Sequence, residues 1–122
     1  MIQIVWQYEV KEENRAKFEL AYGPGGAWST LFARASGDRG TALLRDTQDL
    51  RRYLAIDAWD TEEHHQEFLN RHSEEYEAMD AGFSEIVDSE AKVGTYKLLA
   101  DATVRPIPRS ARRRSSPYRT SQ

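Results

Sequence analysis

Residues 52–63 read Arg52-Tyr53-Leu54-Ala55-Ile56-Asp57-Ala58-Trp59-Asp60-Thr61-Glu62-Glu63, and the pattern changes half-way along. Up to Trp59 the residues suit a strand, with Leu54, Ile56 and Ala58 on one face and Tyr53, Ala55, Asp57 and Trp59 on the other. A strand apolar on both faces belongs in the interior of a sheet. Asp60-Thr61-Glu62-Glu63 then matches a capping box, with Asp60 as N-cap and Glu63 reaching back to it. The acids also suit the positive end of a helix dipole. This spacing predicts a helix from Thr61 to about Asn70, with Ser73 capping a second stretch to about Phe83.

Working outward, Thr41 to Arg45 reads as a second strand, joined to the first by the hairpin-length loop Asp46-Thr47-Gln48-Asp49-Leu50. Before it come the turn Ser36-Gly37-Asp38-Arg39-Gly40 and an apolar piece, Ala27 to Ala35, expected as a short helix or a strap. Gly23-Pro24-Gly25-Gly26 ends a helix running from Glu12 to Tyr22. At the front, Ile2, Ile4, Trp6, Tyr8 and Val10 alternate with more polar residues as a strand does. Val93, Thr95, Lys97 and Leu99 give a last strand over Ala91 to Leu99. The order β-α-β-β-α-β predicts a ferredoxin-like α+β sandwich. Helices cover one sheet face and no chain is left for the other, so a homodimer is expected.

The chain has 122 residues, 39% of them hydrophobic, a net charge of −3 and no cysteine. That length suits one domain. The lack of cysteine excludes disulfide scaffolds, thiol nucleophiles and cysteine-ligated metal sites. No apolar run is long enough for a membrane helix, and MIQIVWQYEV lacks a basic n-region, so a cytoplasmic protein is expected. Residues 1–101 hold 11 of the 17 Lys and Arg and all 20 Asp and Glu, a net −9. Residues 102–122 hold six Arg and no acid. The reading is an α+β domain over 1–101 and a disordered basic tail over 102–122, rich in Pro, Ser and Arg. A run of arginines with a single aromatic is a weak nucleic-acid signature, and the acidic body would repel phosphate, so nucleic acid is not an expected partner.

Three stretches carry a family resemblance: Tyr22-Gly23-Pro24-Gly25-Gly26-Ala27-Trp28; Thr41-Ala42-Leu43-Leu44-Arg45-Asp46 with Arg52-Tyr53-Leu54-Ala55-Ile56-Asp57; and Trp59-Asp60-Thr61-Glu62-Glu63 running on to Phe68-Leu69. Over residues 1–99 the chain resembles the antibiotic biosynthesis monooxygenase family, within the dimeric α+β barrel superfamily; the first stretch is similar to a string found in one branch. The resemblance implies the dimeric barrel. It leaves the reaction open, since the family includes cofactor-free oxygenases of anthrones and polyketide quinols, quinol monooxygenases and haem-degrading enzymes. The haem-degrading members carry an asparagine on the first strand, and a tryptophan and a histidine on the second helix. Aligned on Trp59, those positions hold Trp6, Phe68 and Ala78, so haem breakdown is disfavoured.

Among titratable groups, His64 and His65 stand at a helix start beside a central strand, and His65 is the more plausible general base. Solvent-facing histidines are the plainer reading. Asp57 shares the apolar face of Trp59, where an acid is costly unless it is paired. It is expected either in a salt bridge with Arg45 or Arg52, which is favoured, or as a site acid with a shifted pKa. Trp59, Trp28, Tyr53, Trp6 and Phe68 are candidate walls for a planar aromatic ligand, with core filling the alternative. His65 and His72 are too far apart to share a metal ion, so no metal site is expected. Gly23-Pro24-Gly25-Gly26 is no phosphate cradle, and no nucleotide or other cofactor is expected. The preferred function is cofactor-independent monooxygenation of a small aromatic or quinol-type substrate; the alternative is a non-catalytic dimeric ligand-binding or interaction module.

Overall fold

The computed structural model describes residues 1–99; the expectation of a disordered tail falls outside them. Four strands form one antiparallel sheet: β1 (Ile2–Val10), β2 (Asp38–Arg45), β3 (Arg52–Trp59) and β4 (Val87–Lys97). Their order is β2-β3-β1-β4, so β3 is interior, as its two apolar faces predict. The helices are α1 (Arg15–Tyr22), α2 (Ala27–Phe32), α3 (Glu62–Arg71) and α4 (Ser73–Phe83), with 3₁₀ turns at Glu12–Asn14 and Ser84–Ile86. This is the ferredoxin-like α+β fold.

Period two places Ile2, Ile4, Tyr8 and Val10 of β1, and Tyr53, Ala55 and Trp59 of β3, in the core under the helices. The helices contribute Phe18, Tyr22, Trp28, Phe32 and Phe68. The rings interlock: Phe18 stacks on Tyr22 at 4.3 Å, and Phe32 meets Trp59 at 5.8 Å and Phe68 at 5.5 Å, edge to face. Each such pair adds about 0.5–1.5 kcal/mol beyond area burial. Among the described residues nothing covers the other sheet face. It carries Val5, Leu54 and Ile56, half-buried, with Leu44 and Tyr96 exposed.

Some boundaries differ from the sequence reading. The first strand of the hairpin starts at Asp38, and the last strand starts at Val87 and ends at Lys97. The first helix opens with a 3₁₀ turn. Thr61, not Asp60, caps α3: its Oγ1 accepts the His64 backbone N–H at 3.0 Å. Asp60 is engaged elsewhere, accepting from the Thr61 N–H and lying 2.7 Å from His64 Nδ1. The N-cap is thus shifted by one residue, and with His64 as the third residue after it no glutamate closes a capping box.

Candidate active site

The Gly23-Pro24-Gly25-Gly26 turn sets one wall. Gly25 has φ of +80°, a conformation glycine accepts without strain. Gly26 lies so close to the end of α1 that an added Cβ would stand 2.2 Å from the Leu20 carbonyl oxygen. This tight corner turns the chain into α2 and lays Trp28 over the sheet, where it is 7% exposed. Trp28 meets Tyr76 of α4 edge to face at 5.0 Å.

Under these rings lies a cavity. From the sheet it is lined by Trp6, Tyr8, Ala55, Asp57 and Glu90, and from the helices by Tyr22, Trp28, Phe32, Tyr76 and Asp80. Its volume is about 30 Å³, room for roughly one water. Asp57 is its deep polar group. The Thr41 hydroxyl donates to Asp57 Oδ1 at 3.3 Å, and no basic side chain pairs with this carboxylate among the described residues. Burial, with Asp38 nearby, pushes Asp57 up to about 6. Burial also raises the Tyr8 hydroxyl, and takes Tyr76 up to about 12 with help from Asp80, Glu90 and Asp57. An acid poised near neutrality in an aromatic cavity can take a proton from a weakly acidic substrate.

The expected salt bridge of Asp57 is absent. Arg45 pairs with Glu19, and Arg52 lies within 4.0 Å of Glu9, Asp46 and Asp49. Of the other candidates, Trp6 and Trp28 join Asp57 in the cavity wall. Trp59, Tyr53 and Phe68 do not line it; they are 0%, 1% and 3% exposed and fill the core. Tyr53 turns its hydroxyl to Glu19 Oε2 at 2.5 Å, at the far end of β3 from Trp59. His65 packs on Trp59 with ring centroids 5.0 Å apart, outside the cavity. Burial, then Lys92, lowers its pKa. His64 lies on a separate groove of about 190 Å³ with Arg34, Arg71 and His72. The sequence reading left Tyr76, Asp80 and Glu90 out of the candidate set. Tyr76 and Asp80 are four apart on one helix face, and Glu90 pairs with Tyr8 across the sheet. Among the described residues no group of three or more His, Asp or Glu is placed to hold a metal ion. No helix among them is long and apolar enough to cross a membrane.

The sequence profile of the antibiotic biosynthesis monooxygenases matches residues 1–81. The chain belongs to that family. A comparison with curated proteins returned no match. Solved structures share the fold. A protein assigned to the antibiotic biosynthesis monooxygenases from Bordetella bronchiseptica is 24% identical, with a TM-score of 0.65 over 81% of this chain and 97% of that one. A variant of SnoaB, a cofactor-independent oxygenase from Streptomyces nogalater, is 19% identical, with a TM-score of 0.66 over 82% and 94%. MhuD, a haem degrader from Mycobacterium tuberculosis with two haems bound, is 17% identical, with a TM-score of 0.64 over 84% and 100%. This family member therefore shares its fold with proteins of different chemistry.

Proposed function

We propose that the chain is a cofactor-independent monooxygenase of a small aromatic or quinol-type substrate, and that Asp57 is its general base. The observation that carries this is the unpaired Asp57 carboxylate, raised to about 6, inside a cavity walled by aromatic rings. For an anthrone, which enters the water-sized cavity as the half-buried Trp6 and Tyr76 move aside, Asp57 takes a proton from the activated CH₂ group, and the aromatic walls exclude water around the resulting anion. The electron-rich carbanion reduces O₂. One oxygen atom enters the product carbonyl and the other leaves as water. The CH₂ to C=O conversion releases the four electrons that O₂ accepts, so no external reductant is needed. The buried Trp28 Nε1–H, which faces the Tyr22 hydroxyl without a well-aligned hydrogen bond, and the Tyr76 hydroxyl are suited to bind the anionic oxygen. Trp6 and Trp28 are the ring walls in this reading; His65, His64, Trp59, Tyr53 and Phe68 act through packing and helix placement.

Haem fits this cavity poorly. Among the described residues its lining holds three carboxylates and neither His, Lys nor Arg, so these residues offer no histidine ligand and repel propionates. The working form is a homodimer, supported by the uncovered face around Leu44, Leu54 and Ile56 and by the superfamily resemblance. A cytoplasmic setting is part of the same reading.

The test is oxygen uptake by purified, metal-stripped protein with a panel of quinols and anthrones, against a heat-killed control. Uptake is expected to survive chelator, to fall by about 10²–10⁴ in Asp57→Asn, and to stay within a few-fold of wild type in His65→Ala. Uptake lost in His65→Ala and kept in Asp57→Asn would return the base to His65. No uptake across the panel would favour the non-catalytic ligand-binding module.

A further inference from the structure

The cavity has two chemically distinct ends. Asp57 is deep and half-buried, whereas Asp80 and Glu90 stand exposed at the rim. None of the three is ion-paired among the described residues, where nine contacts of Lys or Arg side chains with other carboxylates are formed. The two rim acids feel each other: burial and then Asp80 raise Glu90. Between rim and floor stand the rings of Tyr76, Trp28 and Trp6. Ring faces and carboxylates both attract cations, and together they repel anions. The wall also holds a buried donor, Nε1 of Trp28, which faces the Tyr22 hydroxyl without a well-aligned hydrogen bond. A buried N–H left unpaired costs free energy that an incoming oxygen atom would recover.

Resting on the reading of this cavity as the substrate site, we propose that it selects a hydroxylated or keto-bearing planar aromatic that carries an organic ammonium group. The ammonium sits at the rim between Asp80 and Glu90. The ring lies against Tyr76 and Trp28, one oxygen accepts from Trp28 Nε1–H, and the acidic C–H or O–H faces Asp57. The cavity is water-sized, so the ring enters by displacing Tyr76 and Trp6, the half-buried parts of the wall. Anionic aromatics of the same shape are rejected at the rim.

The test uses the full chain and three probes with one ring system and different charge: 1-naphthylmethylammonium, 1-naphthalenemethanol and 1-naphthoate. Affinities come from titration calorimetry, and the site from the three tryptophan indole N–H signals in ¹⁵N NMR spectra. The ammonium is expected to bind about tenfold or more tighter than the alcohol, with the carboxylate weakest. Trp6 and Trp28 signals should shift while that of Trp59 stays. Asp80→Asn with Glu90→Gln, both on exposed side chains, should bring ammonium and alcohol to similar affinity and leave alcohol binding unchanged. Equal affinities, tightest binding of the carboxylate, no binding of any probe, or a shift of Trp59 alone would each overturn the proposal. Charge preference without oxygen uptake upholds this selectivity and removes the catalytic role. Oxygen uptake without charge preference does the reverse.

Discussion

At the scale of single residues, Asp57 carries the proposed chemistry. Its raised pKa means that the folded protein resists its ionisation, so its carboxylate costs stability as pH rises from the ordinary carboxylate range through about 6. Below that range both folded and unfolded chains hold the proton and the cost vanishes. Asp57→Asn keeps an oxygen for the Thr41 hydroxyl and removes the charge. The variant should therefore be more stable than wild type at alkaline pH, by on the order of 2 kcal/mol, and equal to it in acid. Denaturant unfolding at both pH values checks this; equal stability at both would mean that the carboxylate ionises freely. The side on which Asp57 lies was legible from period two alone. Its lack of a partner was not. Arg52 has the opposite parity in the same strand, and Arg45 pairs with Tyr53, four residues away along β3, roughly 13 Å. The parity of Arg52 was legible from the sequence; the distance of Arg45 depends on strand register. Trp59 and Tyr53 also share that face, but whether a ring is wall or core depends on which helix covers it.

At the scale of elements, two junctions hold the cavity walls. The first is the Gly26 corner between α1 and α2. Gly26→Ala brings a Cβ against two backbone carbonyl oxygens, of Leu20 and Ala21, at 2.2 and 2.6 Å, neither of which can move alone. We expect a loss of about 3 kcal/mol or more, with Trp28 displaced, measured by thermal unfolding and tryptophan emission. A wild-type melting profile would show that the corner relaxes freely. The second is the start of α3. Thr61→Ala removes the cap on His64 N–H and should cost about 1 kcal/mol, read as a lowered Tm. Asp60→Ala should perturb the His64 and Arg39 contacts instead. The sequence located this helix start to within a residue. Asp60 and Thr61 are both good caps, and only the placement of Arg39 and His64 decides between them.

At the scale of the molecule, the element order and the interior place of β3 were readable because strand and helix periods are distinct and the turns are marked by glycine and proline. The cavity was only half readable. Trp6, Trp28 and Asp57 were recognised, but Tyr76 and Asp80 come from α4, whose docking over the sheet is a tertiary outcome. The uncovered sheet face gives the molecular-scale prediction. Wild type should sediment at twice the 14.1 kDa chain mass, and Ile56→Arg, which places a charge on that face, should shift it to the monomer. A monomeric wild type would leave that face without the expected occupant.

In the proposed reaction Asp57 supplies the base within the aromatic cavity. The pH dependence of kcat/KM for oxygen uptake with an anthrone tests it most directly, since that profile reports groups of the free enzyme. Activity should rise with pH through about 6 in wild type and in His65→Ala, and Asp57→Asn should lack the rise. A profile in which the rise survives in Asp57→Asn and disappears in His65→Ala would contradict it.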